Sequence, residues 1–145
     1  MDSIRIFGYK SFKELSVQLH SINLLIGANG AGKSNFLSLF EMLGNIYEKR
    51  LGAYVAQVGG VDKLLYQGRK VTDRIAVNLL IAKSEYDLAL LESDGKLIVE
   101  REVVGCYDDV CPLDLVRKNV ITEFQSESSL KDHKEEDLSN YISQI

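Results

Sequence analysis

The sequence predicts an α/β fold, and three features carry that reading. A nearly continuous apolar run, Ile22–Ile26, ends in a glycine-rich loop, Gly27–Ser34. A proline-free segment from Asn35 to about Arg50 follows, apolar at Phe36, Leu37, Phe40, Leu43 and Ile46-Tyr47, a spacing that gives a helix with one apolar face. Three alternating runs, Ile75–Ala82, Tyr86–Leu91 and Leu97–Val104, then read as an antiparallel meander.

In chain order, Ser3–Phe7 alternates and is rich in β-formers, so it predicts a first strand, broken by Gly8-Tyr9-Lys10-Ser11-Phe12. Leu15, Val17 and Leu19 alternate with polar residues and predict a second, half-exposed strand. The run Ile22–Ile26 lacks alternation, which marks a central strand covered on both faces. After the helix, Gly52 and Gly59-Gly60 loosen the chain, giving loops with at most a short helix. Ser93-Asp94-Gly95 predicts the hairpin turn between the last two meander strands, because glycine tolerates the positive φ such turns need. Cys106–Cys111 and Pro112 end the meander. Ser129 and Asp132 form a capping box, and Leu130, Lys134, Leu138, Tyr141, Ile142 and Ile145 keep helical spacing beyond it.

With 145 residues and an ordinary apolar fraction, the chain supports one globular unit, residues 1–145. The formal charge of −4 sets it apart from proteins covered in basic surface, while leaving room for a local basic groove. Its apolar runs are strand-sized, far short of the roughly 20 residues of a membrane helix. With no secretory leader, the chain reads as soluble and cytoplasmic, with Cys106 and Cys111 as free thiols. A metal site on those two thiols would need two more ligands, and His20 and His133 lie far off in sequence.

Gly27-Ala28-Asn29-Gly30-Ala31-Gly32-Lys33-Ser34 satisfies G-x-x-x-x-G-K-[ST] at every fixed position. Each residue type has a physical role. Glycines let the backbone wrap close to phosphate and turn successive N–H groups inward. The following helix adds the positive end of its dipole. Lys33 would set its ammonium on the β- and γ-phosphates, and the Ser34 hydroxyl would coordinate Mg²⁺. The strand before and helix after the loop are the context this motif requires, so ATP with Mg²⁺ is the expected ligand pair.

The form Asn29-Gly30-x-Gly32-Lys33-Ser34 resembles the phosphate loop of ABC transporter ATPases, SMC proteins, RecF and relatives. Phe7-Gly8-Tyr9-Lys10-Ser11-Phe12-Lys13 resembles the opening of that group, and Ser34-Asn35-Phe36-Leu37 the start of its helix. Tyr54–Gly60 and Gly68-Arg69-Lys70 look like segments of bacterial predicted AAA-type ATPases of the RecF/SMC-like kind. The resemblance implies a P-loop NTPase fold, specifically the N-terminal lobe of an ABC-type head. It also implies nucleotide contacts from Gly27, Asn29, Gly30, Ala31, Gly32, Lys33, Ser34 and Asn35, with Lys10, Ser11 and Phe12 near the adenine. Some relatives work in DNA repair or phage defence.

The other parts of such a head are not legible. Leu88–Glu92 is the nearest match to a Walker B strand, but it lacks the aspartate and runs into the Asp94-Gly95 turn, so Glu92 reads as a hairpin residue. Val58-Gly59-Gly60 lacks a signature serine, and neither His20 nor His133 follows a strand as a switch histidine does. Gln125 is the candidate Q-loop glutamine and Gln67 the runner-up, each weighed against a plain surface glutamine. Arg69 and Lys70 are candidates for phosphate or DNA contact, against the blander reading of a solvated charged loop.

The function expected is therefore a Mg-ATP-binding lobe, hydrolysing only when another polypeptide completes it. Such a lobe leaves a sheet edge and an apolar face uncovered, which predicts self-association or a partner polypeptide. The alternative is a non-enzymatic oligomerisation module in which nucleotide is only structural. A self-sufficient small kinase would carry strand-end aspartates and an arginine-rich lid that the sequence does not show.

Overall fold

The computed structural model describes residues 2–82, 84–106 and 119–128. Its elements are β1 Asp2–Tyr9, β2 Phe12–Leu19, α1 Lys33–Tyr47, α2 Leu51–Gln57, a 3-10 turn Val61–Lys63, β3 Arg74–Ile81, β4 Ser84–Ser93, β5 Lys96–Cys106 and β6 Asn119–Gln125. Among the described residues the strands form one six-stranded sheet, in the order β2-β1-β3-β4-β5-β6. Every ladder in it is antiparallel.

One face of the sheet builds the core, because alternate residues of each strand share a face. Ile4 and Ile6 of β1, Ile75, Val77 and Leu79 of β3, and Leu88 and Leu90 of β4 are buried there. Phe36, Leu39, Met42, Leu43 and Ile46 of α1 join the same cluster, at the three-to-four-residue spacing of one helical stripe. Fully burying each such side chain stabilises the fold by about 1.5–3 kcal/mol. Leu37, expected on that face, lies outside the stripe and is 60% exposed. The turn between β4 and β5 has Asp94 and Gly95 both at positive φ (50° and 79°), the requirement of a type I′ hairpin.

One expectation needs correction. Ile22–Ile26 is not a strand: it joins no ladder, and Ile22, Leu24 and Ile26 are 87%, 81% and 85% exposed. A strand exists only through its neighbours. A buried central strand ahead of a phosphate loop needs parallel partners, whereas every strand of this sheet pairs antiparallel and none turns to the segment. The segment after α1, expected as loops with a short helix, does carry one. Leu51–Gln57 is a full helical segment, with Leu51, Tyr54 and Val55 buried. Glu127, 76 residues after Leu51, caps it: Oε2 accepts the Leu51 N–H at 2.9 Å and Oε1 the Gly52 N–H at 3.3 Å. That carboxylate satisfies two helix-end donors and offsets the weak propensity of Gly52.

The sixth strand was not anticipated. Its pairing with β5 shifts register after Glu102. Glu102 is fully buried on the core face, where its Oε1 accepts hydroxyl protons from Tyr86 and Ser128, both at 2.6 Å. Burial, and then the charge of Glu102, raise the Tyr86 phenol well above its ordinary value. The expected C-terminal helix with its Ser129 cap, Cys111 and His133 lie outside the described residues, as does the thiol of Cys106. No helix among the described residues is long and apolar enough to cross a membrane.

Candidate functional site

The glycine-rich loop delivers the chain into α1. Ala31 N–H closes a turn onto the Ala28 carbonyl at 3.2 Å, and Gly32 then stands as the N-cap with φ 94° and ψ 1°. The first donor of the helical ladder is Phe36 N–H, bonded to Gly32 O at 2.9 Å. The amides of Lys33, Ser34 and Asn35 precede it and have no intrahelical acceptor. The cap has no side-chain bond, and the first turn carries no acidic residue. An uncapped helix start with its positive dipole end unneutralised is suited to an anion.

Lys33 is aimed back over this loop. Its ammonium donates to Gly27 O at 2.6 Å and Ala28 O at 2.8 Å, which fixes a positive charge over the glycine-rich loop. Ser34, in the first helical turn, is exposed, so its hydroxyl is accessible to a hydrated cation. Among the described residues no cluster of His, Cys, Asp or Glu forms a metal site, and the chemistry of the loop does not call for one. Mg²⁺ bound with a nucleotide takes mainly phosphate and water oxygens, with one or two protein ligands.

The turn between β1 and β2 brings a second group of residues to the loop. A Cβ placed on Gly32 would lie 3.1 Å and 3.2 Å from ring carbons of Phe12 and 3.2 Å from Ser11 Oγ. Ser11 Oγ accepts from Asn35 Nδ2 at 2.9 Å. Lys10, at φ 47°, donates its N–H to Leu64 O at 2.7 Å and its ammonium to Ser38 Oγ at 2.7 Å. Burial lowers the Lys10 pKa, and the nearby charge of Glu41 opposes that shift. Of the three residues expected near the adenine, Ser11 and Phe12 thus stand against Gly32 of the loop, and Lys10 stands against α1 at Ser38.

Beside Asn35 opens a cleft of about 800 Å³, walled by Lys10, Lys63, Gln67, Arg69 and Lys70. Its carboxylate, Asp62, is held by Arg69, whose N–H bonds Oδ1 at 3.0 Å and whose Nε approaches Oδ2 at 3.5 Å. Gln67, Arg69 and Lys70 therefore share one cleft with Lys10 and Asn35. On the loop's other side, Phe12, Leu15, Val17, Leu25 and Phe36 line an apolar trough of about 280 Å³.

The remaining candidates fall elsewhere. Gln125 ends β6, the edge strand opposite β2 in the sheet order, and is exposed. Glu92 lies in β4, its carboxylate accepting Gly95 N–H at 2.8 Å, as a hairpin residue does. Gly59 and Gly60 close α2 through bonds to Ala56 O and Val55 O, a helix terminator and not a signature loop. His20 is in an exposed turn, where its carbonyl accepts from Asn23 Nδ2 at 2.7 Å.

Sequence reasoning passed over Ser38 and Lys63. Ser38 could have been found as a hydroxyl beside the apolar stripe of α1, one turn beyond Ser34. A family model described as AAA ATPase domain matches residues 1–145. No curated protein matches the chain.

Proposed function

The chain belongs to the AAA ATPase domain family, and from that premise we propose that it is a Mg-ATP-binding lobe. The observation that carries this reading is the loop itself: an uncapped helix start entered through Gly32 at φ 94°, with the Lys33 ammonium fixed above it. On binding, Lys33 would exchange its bonds to Gly27 O and Ala28 O for β- and γ-phosphate oxygens. The amides of Lys33–Asn35 would take further phosphate oxygens, and Ser34 would hold Mg²⁺, which neutralises the transferring phosphates.

Hydrolysis calls for a carboxylate that orients water, together with added positive charge. In this reading a second lobe supplies them, from a further segment of a longer chain or from another polypeptide. The exposed, unpaired run Ile22–Ile26 supports that, since strands laid on either side of it would bury Ile22, Leu24 and Ile26 and complete the parallel sheet a phosphate loop ordinarily ends. A setting in DNA repair or phage defence rests on resemblance alone.

The test is thermal unfolding with and without Mg-ATP, repeated with Lys33→Ala. Nucleotide at a hundredfold excess over Kd stabilises the native protein by about 2.7 kcal/mol. The wild type is expected to shift and Lys33→Ala to shift far less; equal shifts would overturn the reading. Phosphate release is expected only after a second lobe is supplied. Nucleotide-driven association without any turnover would point instead to an interaction module.

A further inference from the structure

Ser38 stands where the phosphate-loop helix, the β1–β2 turn and α2 meet. A serine hydroxyl has one proton and two lone pairs, and here all three are engaged. It donates to Asn35 O at 2.9 Å and accepts the Lys10 ammonium at 2.7 Å. The Tyr9 phenol keeps its own proton and lies 3.0 Å away, in a contact where either hydroxyl can donate. Burial raises the Tyr9 pKa, which keeps that proton in place at ordinary pH. The Ser38 carbonyl in turn accepts from the Tyr54 hydroxyl at 3.3 Å.

Lys10 is the residue this hydroxyl restrains. Its backbone sits in the left-handed region, a conformation that costs a non-glycine residue about 1–2 kcal/mol and persists only where surroundings enforce it. Its ammonium is half-buried at the wall of the basic cleft, next to Asn35. Two adjacent bridges therefore clamp the β1–β2 turn to α1: Ser11 to Asn35, and Lys10 to Ser38. The second bridge is anchored to the first by the bond from Ser38 to Asn35 O.

We propose that Ser38 is a positioning residue for the nucleotide site, acting through Lys10. By holding the Lys10 ammonium against the second turn of α1, it keeps that charge within reach of an anion at the helix start. It also keeps Ser11 and Phe12 seated against Gly32. This rests on the nucleotide-binding reading above and adds a residue to it.

The experiment is a double-mutant cycle on Mg-ATP affinity, measured by calorimetry with Ser38→Ala, Lys10→Ala and the double variant, and with Ser38→Thr as the conservative control. Removing a hydrogen bond to a charged group predicts roughly tenfold weaker binding for Ser38→Ala. Ser38→Thr, which keeps the hydroxyl, is expected to stay within about twofold of wild type, the tolerance of a retained bond. The double variant should bind no more weakly than Lys10→Ala alone. Wild-type affinity in Ser38→Ala would overturn the proposal, and so would losses that multiply in the double variant. A merely structural serine would lower thermal stability alike in both backgrounds and leave affinity uncoupled. Failure of wild type to bind Mg-ATP at all would instead strike the nucleotide reading.

Discussion

Gly32 and Gly44 lie at the start and in the interior of the same helix, and the same substitution should move stability in opposite directions. Gly32→Ala forces an alanine to φ 94°, outside the range that L-residues with a Cβ favour, at about 1–2 kcal/mol. Its Cβ would also meet Phe12 at 3.1 Å and Ser11 Oγ at 3.2 Å, so the half-buried Phe12 ring must shift. An off-rotamer displacement of that kind adds about 0.5–1.5 kcal/mol, giving roughly 1.5–3.5 kcal/mol of destabilisation in all. Gly44→Ala sits inside α1 with nothing within 4 Å of the new Cβ. There the loss of glycine's backbone freedom in the unfolded chain stabilises the protein by about 0.5–1 kcal/mol. Urea unfolding followed by far-ultraviolet circular dichroism, without nucleotide, measures both. Gly32→Ala as stable as wild type, or the two variants shifting in the same direction, would refute the reasoning. Weakened Mg-ATP binding is expected in Gly32→Ala only.

Glu127→Ala removes the acceptor of the Leu51 and Gly52 amides, and should cost about 1 kcal/mol in thermal unfolding; no change would mean that α2 starts without it. Ile26→Ser should change stability by less than about 0.5 kcal/mol, because Ile26 is 85% exposed. A loss of several kcal/mol there would show that the segment is a buried strand after all. Tyr86 gives a pH dependence: its folded phenol stays protonated well above 10.0, where the unfolded phenol ionises, so the native state binds the extra proton. Stability from this source is complete below about pH 10 and falls above it, by about 1.4 kcal/mol per pH unit, and Tyr86→Phe should flatten that decline. An identical slope in both proteins would remove Tyr86 as its origin.

The sequence by itself determined the parts written in local chemistry. The glycine-rich loop at the start of α1 is legible because a tight turn into a helix, and the phosphate site proposed there, demand glycines, a lysine and a hydroxyl at fixed spacing in Gly27–Ser34. The meander is legible because residues of alternate polarity mark one buried sheet face, and Asp94-Gly95 supplies the two positive φ angles of its turn. Tertiary structure decided what depends on distant neighbours. The apolar run Ile22–Ile26 has the composition of a buried strand, yet ladder bonds come only from partners, and the antiparallel sheet offers it none. The start of Leu51–Gln57 is capped by a carboxylate 76 residues away, which no local reading could supply. Ser11 and Phe12 met the loop, and Lys10 met α1 at Ser38, because the β1–β2 turn folds over α1. Local spacing can place a ligand's phosphate, but only long-range packing can say which side chains surround it.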